Sequence, residues 1–269
     1  MTIDNAFKLT GPTCISVSGG RTSGYMLRRI LDAHGGSLPE GAVAIFANTG
    51  KERPETLDFV RDCQEQWGVP IVWVEFVHRW NGGAYREVTY ETASRNGEPF
   101  AALIEQKNYL PNVMLRFCTQ WLKVQAIQWA MKQRGHTDYD NLIGLRADEE
   151  LRVATVRSKP DPDRCPLYDA GVTEEDVLAF WRASPFDLRL GRGWSNCDLC
   201  FLKAWPTLVR LEQERPGSAA WWAEQEERVG ATFGRDNVPY RHLRTFAAKQ
   251  RTLALLEEPS QSVSCTCTD

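Results

Sequence analysis

Two cysteines separated by two residues, Cys197 and Cys200, give the sequence its clearest metal-binding signal. Thiolates at this spacing can hold one metal centre from a single tight turn, although zinc knuckles and redox pairs use the same spacing. Zinc and iron–sulfur centres both take about four ligands. Cys118 lies at the predicted start of a helix, where the helix dipole favours a thiolate, so we predict that it is the third ligand.

The chain ends in a further cysteine pair, Cys265 and Cys267. Cys265 is our candidate for the fourth metal ligand, with Cys267, Cys165, a substrate or solvent as alternatives. A chain end can also swing into a site, so both tail cysteines are candidate catalytic thiols. A tail with no role is the third interpretation, and the sequence leaves all three open.

A phosphate-binding loop is predicted where a short β-branched strand runs into a helix. Two adjacent glycines let the backbone turn sharply and approach a ligand closely. Hydroxyl groups and the free N–H groups of the following helix complete an anion cradle. The spacing is not that of a Gly-x4-Gly-Lys loop, and an ordinary strand–turn–helix junction is the alternative. The predicted nucleotide-binding residues of this loop are Ser16, Ser18, Gly19, Gly20, Arg21, Thr22 and Ser23.

A second charged loop follows the predicted strand at 141–145 and contains Arg146, Asp148, Glu149 and Arg152. Arginines bind phosphate or sulfate through paired hydrogen bonds, which makes the two arginines our predicted catalytic residues. The carboxylates could order these arginines or hold Mg²⁺. A solvated charged loop is the alternative interpretation.

Strand and helix patterns alternate through the first half of the chain. Predicted strands cover residues 13–17, 43–47, 69–76 and 141–145, and predicted helices cover residues 24–33, 54–67 and 119–133. This alternation predicts an α/β fold with a parallel sheet flanked by helices, in which ligands bind at the carboxyl ends of the strands. Residues 78–111 are interpreted as a long polar excursion. We predict an α/β nucleotide-binding domain over residues 1–160 and a helical, cysteine-containing region over residues 161–269.

Composition narrows the class of protein. The chain has 269 residues, a formal net charge of −3 and eight cysteines. The charge does not indicate a nucleic-acid partner, although a local basic patch stays open. The sequence shows neither an apolar run near the ~20 residues of a membrane helix nor a signal peptide, so we expect a cytoplasmic protein without a membrane partner. Close-spaced cysteines in a reducing compartment indicate metal or redox chemistry.

Five motifs in order resemble the phosphoadenosine-phosphosulfate (PAPS) reductase family of the PP-loop superfamily. They are the loop Ser16–Ser23, Asn48-Thr49-Gly50 with Pro54-Glu55-Thr56, Arg116-x-Cys118-x4-Lys123, Gly144-x-Arg146-x-Asp148-Glu149-x-x-Arg152, and Cys197-x-x-Cys200. The resemblance covers roughly residues 13–203. It implies a Rossmann-like PP-loop fold and an enzyme that binds an adenine nucleotide.

The resemblance also implies ligands, partners and chemistry. Thr49, Gly50 and Gly144 match positions near the nucleotide, which would be ATP, adenylyl sulfate or PAPS. The cysteines resemble those of the iron–sulfur branch, which implies a [4Fe–4S] cluster, with zinc as the alternative. The activity would be reduction of a sulfonucleotide with a thioredoxin-like thiol donor. The alternatives are ATP-dependent sulfur transfer from a sulfur donor, as in tRNA thiolases and DNA phosphorothioation enzymes, and a non-catalytic nucleotide-binding module with structural zinc.

Overall fold

A five-stranded sheet with the strand order β4-β3-β2-β1-β5 forms the centre of the fold. The computed structural model describes residues 3–78, 84–191, 194, 197–234 and 238–250. The strands are β1 (Thr13–Ser16), β2 (Ala42–Asn48), β3 (Ile71–Phe76), β4 (Tyr85–Val88) and β5 (Asp140–Leu142). The pairs β1–β2, β1–β5 and β2–β3 are parallel, whereas β4 pairs with β3 antiparallel. The predicted α/β class with a mostly parallel sheet is therefore confirmed.

Helices cover both faces of the sheet. They are α1 (Arg21–Ala33), α2 (Pro54–Trp67), α3 (Glu98–Lys107), α4 (Phe117–Thr119), α5 (Gln125–Gln133), α6 (Glu150–Arg157), α7 (Pro166–Asp169), α8 (Glu174–Ala183), α9 (Trp205–Glu214), α10 (Ala220–Val229) and α11 (Tyr240–Gln250). A short 3₁₀ helix (Ile3–Phe7) precedes β1. Among the described residues, none of these helices combines the length and apolar character that a membrane crossing requires.

Successive residues of the central strands point to opposite faces and supply two separate cores. In β2, Phe46 packs in the core formed with α1, α2 and α8, while Ile45 packs in the core formed with α3, α5 and α9–α11. Trp73 and Val74 divide in the same way in β3. Burial on both faces explains why β2 is an uninterrupted apolar run, as is typical of a parallel strand.

The interpretation of residues 78–111 as one long excursion is corrected by the structure. The described part of this segment contains β4 and α3. β4 is an edge strand of four residues, Tyr-Arg-Glu-Val, of which only Tyr85 is buried. Its apolar signal is therefore weak, and its pairing with β3 (Phe76 opposite Tyr85) defines it. Residues 79–83 lie outside the described residues.

The helix predicted at 119–133 is one helical run with an irregular start. It begins at Phe117, passes through a π-helical turn (Gln120–Val124) and continues as α5. Turns of this kind are rare inside α-helices and are frequently found at functional sites. Cys118 thus lies in the first turn of the run, as predicted.

Both predicted domains contribute to one core. Leu167, Trp181 and Leu188 pack in the same cluster as Ile15 and Phe46 of the sheet. The described part of the region after residue 160 is mainly helical and contains Cys197 and Cys200, as expected. The boundary at residue 160 stays a prediction.

Replacing Gly24 in α1 by alanine is expected to destabilise the protein by about 1–3 kcal/mol. A Cβ atom at this position would lie 2.9 Å from Trp181 and 3.1 Å from Phe59, whose rings hold the helix against α8 and α2. Thermal unfolding measures the effect. An unchanged or raised melting temperature would contradict the tight packing, because alanine is the better helix former by about 1 kcal/mol.

Candidate functional site

The Ser/Gly loop joins β1 to the N-terminus of α1. Hydrogen bonds from its own serine hydroxyls hold the loop in a tight turn. The Ser18 amide donates a hydrogen bond to Ser23 Oγ at 3.1 Å, and the two serine hydroxyls lie 2.9 Å apart. Ser23 Oγ also donates to the Gly20 carbonyl at 3.1 Å. Gly19 has a φ of +79°, a conformation that favours glycine. The result is a tight turn at the positive end of a helix, which suits a bound anion.

Two neighbouring elements approach this loop so closely that a Cβ atom would clash at Gly19 and would be tightly packed at Gly144. A Cβ atom on Gly19 would lie 2.5 Å from Thr56 Cγ2 in the first turn of α2. A Cβ atom on Gly144, after β5, would lie 3.3 Å from the backbone of Ser23. The ends of β1, β2 and β5 therefore converge on the loop, as expected for a parallel sheet.

The charged loop after β5 reaches the Ser/Gly loop through Arg146. Its Nη1 donates to Thr22 Oγ1 at 3.2 Å, and its Nε lies 3.0 Å from Asp148 Oδ1. Arg152 pairs with Glu149, whose other carboxylate oxygen accepts from the Arg146 amide at 3.1 Å. The carboxylates thus orient both arginines, one of the two roles predicted for them.

Two predicted loop residues have structural partners. Arg21 makes a paired contact with Asp187, with Nε–Oδ1 at 2.7 Å and Nη2–Oδ2 at 2.9 Å. Ser16 Oγ donates to Asn141 Oδ1 on β5 at 3.1 Å. Arg21 therefore ties the loop to the segment before the cysteine pair, and Ser16 ties β1 to β5. Their roles as nucleotide ligands stay predictions.

Three predicted metal ligands line one cavity. Cys118 comes from α4, and Cys197 and Cys200 come from the turn before α9. All three are buried, with at most 9% of each residue exposed. The remaining lining residues are Thr49, Phe100, Thr119, Leu122, Lys123, Phe201 and Trp222. The fold thus brings together cysteines that are about eighty positions apart in the chain.

The cysteine turn is fixed against the end of β2. Cys197 forms an antiparallel bridge with Glu52, and the Asp198 amide donates to the Lys51 carbonyl at 2.9 Å. Asp198 Oδ2 lies 2.9 Å from Lys51 Nζ. Further hydrogen bonds come from Trp222 Nε1 to Asp198 (2.9 Å), from Tyr240 Oη to the Leu199 carbonyl (2.7 Å) and from Lys203 Nζ to the Cys197 carbonyl (2.8 Å).

The donor set of the cavity suits a thiolate-bound centre. Three cysteines line a mostly apolar space, and the cation Lys123 lines the same cavity. A neighbouring lysine favours the thiolate form that a metal centre requires. No set of three His, Cys, Asp or Glu side chains within the described residues is arranged to hold a single metal ion. Cys265 and Cys267 lie outside the described residues, so their predicted roles stay predictions.

The other described cysteines, Cys14, Cys63 and Cys165, lie away from the cavity. Cys14 and Cys63 are buried in the two cores, and burial raises the pKa of the Cys14 thiol to about 12. Burial also raises the pKa of Cys63. Both thiols are therefore protonated at neutral pH and are poor ligands. Cys165, an alternative fourth ligand, lies in a small cluster with Ile143, Leu145 and Val153, apart from the cavity.

The segment after β2 serves the cysteine cavity. Thr49 lines the cavity, and its amide and hydroxyl both donate to Glu52 at 2.8 Å. Burial raises the pKa of Glu52, while the charge of Lys123 and the Thr49 hydrogen bonds oppose that shift. The Gly50 carbonyl accepts from the Gly97 amide at 2.8 Å, which anchors the segment before α3. Thr49 thus forms part of the cavity wall, a role that the nucleotide prediction did not include, while Gly50 holds the segment next to it in place.

Four residues of this region were not among the predicted site residues: Glu52, Arg53, Thr119 and Lys123. Lys123 follows Cys118 by five positions, and that spacing in the sequence was the available signal. Nothing in the local pattern distinguished Arg53 from a solvated arginine. In the structure it is 2% exposed.

Two phage proteins are similar to this chain in sequence. The nin region protein ORF290 of Escherichia phage lambda is 31% identical over 205 residues, which are 71% of this chain and 66% of that protein. The chain thus spans just under two thirds of that relative's length. A 37.8 kDa protein encoded 5′ of gpa in Escherichia phage 186 is 26% identical, over 91% of this chain and 84% of that protein. No protein-family profile matches the chain.

Solved structures show looser similarity. PAPS reductase from Candida auris, in complex with phosphate, aligns over 73% of this chain and 87% of its own, with 18% identity and a TM-score of 0.47. The U34-tRNA thiolase NcsA from Methanococcus maripaludis, with its [4Fe–4S] cluster, aligns over 88% and 81%, with 13% identity and a TM-score of 0.38. At these scores neither similarity bears on the chemistry of this chain.

Proposed function

We propose that this protein is an enzyme of the PAPS-reductase type that binds an adenine nucleotide and reduces or transfers sulfur. The observation that carries the proposal is the shared cavity of Cys118, Cys197 and Cys200, built against the end of β2. The neighbouring strand β1 ends in the Ser/Gly loop, so a phosphate site and a sulfur site would adjoin on one sheet edge. A purely structural cysteine knuckle would not need that proximity.

The three cavity cysteines would hold a [4Fe–4S] cluster, with Cys265 or a substrate as the fourth ligand. Such a cluster would supply an electron-transfer or sulfur-carrying centre. The positive charge of Lys123 would stabilise the anionic thiolates around it. The hydrogen bonds from Tyr240, Trp222 and Lys203 to the cysteine turn would keep the ligands oriented.

The Ser/Gly loop would bind the nucleotide phosphates. Its hydroxyls and the N–H groups of the first turn of α1 would donate to the phosphate oxygens. Arg146, already in contact with Thr22, would offset negative charge that develops at the α-phosphate, and Arg152 would extend the same positive edge. Mg²⁺ is a candidate companion of the phosphates.

Two reactions are compatible with this site. In the first, two electrons from a thioredoxin-like dithiol reduce adenylyl sulfate or PAPS, giving sulfite, the nucleoside phosphate and a disulfide. In the second, ATP adenylylates an acceptor oxygen with release of pyrophosphate, and a sulfur nucleophile then displaces AMP. The Gly-Gly turn favours ATP, and the tail thiols favour reduction.

Product analysis tests the proposal. Protein purified without oxygen is incubated with adenylyl sulfate or PAPS plus a dithiol, and separately with ATP plus a sulfide donor and candidate acceptors. Sulfite release would identify the reductase, and pyrophosphate release would identify the sulfurtransferase. Absence of both products, together with about one zinc per chain, would contradict an enzyme and identify a nucleotide-binding module with structural zinc.

A further inference from the structure

Arg53, the N-cap residue of α2, carries a buried positive charge that makes no salt bridge within the part of the chain that the structure describes. Its side-chain atoms Nε and Nη2 are buried and have no hydrogen-bond partner among the described residues. The guanidinium stacks on the Trp194 ring, with its central carbon 3.5 Å from the ring centroid. A buried donor without an acceptor destabilises a fold, and a charged one does so more strongly, because the hydrogen bonds to water are lost and not replaced.

The two unpartnered nitrogens form one edge of the guanidinium. In Arg21, the same Nε and Nη2 pair grips the two carboxylate oxygens of Asp187. The corresponding edge of Arg53 is therefore shaped for two oxygens of one carboxylate, phosphate or sulfate.

Nearby carboxylates are already engaged by other cations. Asp198 lies 2.9 Å from Lys51 Nζ, and Glu55 pairs with Arg215. Burial lowers the pKa of Arg53 to about 10, which still leaves the guanidinium charged at neutral pH. The guanidinium charge of Arg53 is therefore not paired by any carboxylate in the described part of the chain.

Thr56 adds a second donor three positions further along α2. Its Oγ1 is also buried and has no hydrogen-bond partner in the described part of the chain, and its methyl group packs against Gly19 of the Ser/Gly loop. On the other side, Glu52, next to Arg53, bridges to Cys197. The vacant donors therefore lie between the Ser/Gly loop and the cysteine cavity, at the positive end of a 14-residue helix.

We propose that Arg53 and Thr56 bind a tetrahedral oxyanion, the sulfate or phosphate attached to the α-phosphate of the bound nucleotide. The proposal rests on the proposed function for the nucleotide and adds the subsite that selects its next group. A sulfate held there would sit beside the cysteines that act on sulfur, whereas a β-phosphate held there would be the leaving group of ATP.

Equilibrium titrations of the full chain without reductant test this subsite, with adenylyl sulfate, ATP, AMP and inorganic sulfate as probes. The variant Arg53→Met is expected to weaken adenylyl sulfate or ATP binding about 10- to 100-fold and AMP binding less than about twofold. Whichever of the two nucleotides loses affinity identifies the oxyanion. Arg53→Lys retains the positive charge but not the pair of guanidinium N–H donors, so we expect an intermediate loss of nucleotide affinity.

Two further variants keep the result interpretable. Arg61→Met removes an arginine from the same helix that pairs with Asp62 and Asp58, and its affinities should match those of the unchanged protein. Thr56→Val removes one hydroxyl with little change of shape, so it tests the subsite even if Arg53→Met folds poorly; we expect a loss of about threefold to tenfold.

Equal affinities in Arg53→Met, Thr56→Val and the unchanged protein would overturn the subsite and leave the proposed function standing. A protein that binds inorganic sulfate through Arg53 but no nucleotide would support the oxyanion subsite and overturn the nucleotide assignment. Equal weakening of AMP and adenylyl sulfate in both variants would overturn the subsite as a selector of the distal group.

Discussion

Replacing Cys118 by alanine is expected to abolish the iron–sulfur cluster that we propose. Protein purified without oxygen should contain about four iron and four sulfide ions per chain and absorb broadly near ~400 nm. The variant should lose most of this iron, sulfide and absorbance, because one of the three proposed cluster ligands in the cavity is gone. Cys197→Ala and Cys200→Ala should behave in the same way.

The matched control is Cys63→Ala. Cys63 is buried, as Cys118 is, but it packs in the core between α2 and the sheet, away from the cavity. Its iron content should equal that of the unchanged protein. Cys265→Ala and Cys267→Ala in the same series report whether a tail thiol is the fourth ligand. A colourless protein with about one zinc, lost in the same three variants, would contradict the cluster and support a zinc site.

Replacing Gly19 by alanine is expected to have the largest effect on nucleotide binding. The new Cβ would meet Thr56 Cγ2 at 2.5 Å, so the loop or the first turn of α2 must move. The positive φ adds a strain of about 1–3 kcal/mol. Because phosphate binding depends on close positioning of the loop N–H groups, we expect affinity for ATP or adenylyl sulfate to fall on the order of tenfold or more.

The variant Gly35→Ala is the control that distinguishes backbone strain at a positive φ from displacement of neighbouring atoms by the new Cβ. Gly35 also has a positive φ, of +72°, but a Cβ there would have no neighbour within 4 Å. This variant should lose stability in thermal unfolding while its nucleotide affinity stays unchanged. Equal affinities in Gly19→Ala and the unchanged protein would show that phosphates do not bind at this loop.

Local patterns predicted most of the elements that carry the site. The uninterrupted apolar run of β2 indicated a strand buried on both faces, and the structure confirms it. At the start of α8, Thr173 and Asp176 form a capping box, and threonine followed by acidic residues is the local pattern typical of a helix start. In contrast, β4 has too few apolar residues for detection, since its pairing partner β3 rather than its own sequence stabilises it.

The sequence by itself determined the α/β class and indicated the Ser/Gly loop and the Cys197–Cys200 pair, because each depends on residue type and short spacing. Only the tertiary structure decided that Cys118 faces Cys197 and Cys200, that Arg146 reaches Thr22, and that Arg53 is buried with two vacant donors. These facts depend on contacts between segments that are distant in the chain. Short-range sequence patterns cannot predict such contacts, because the burial and pairing of these side chains depend on which strands become neighbours in the sheet.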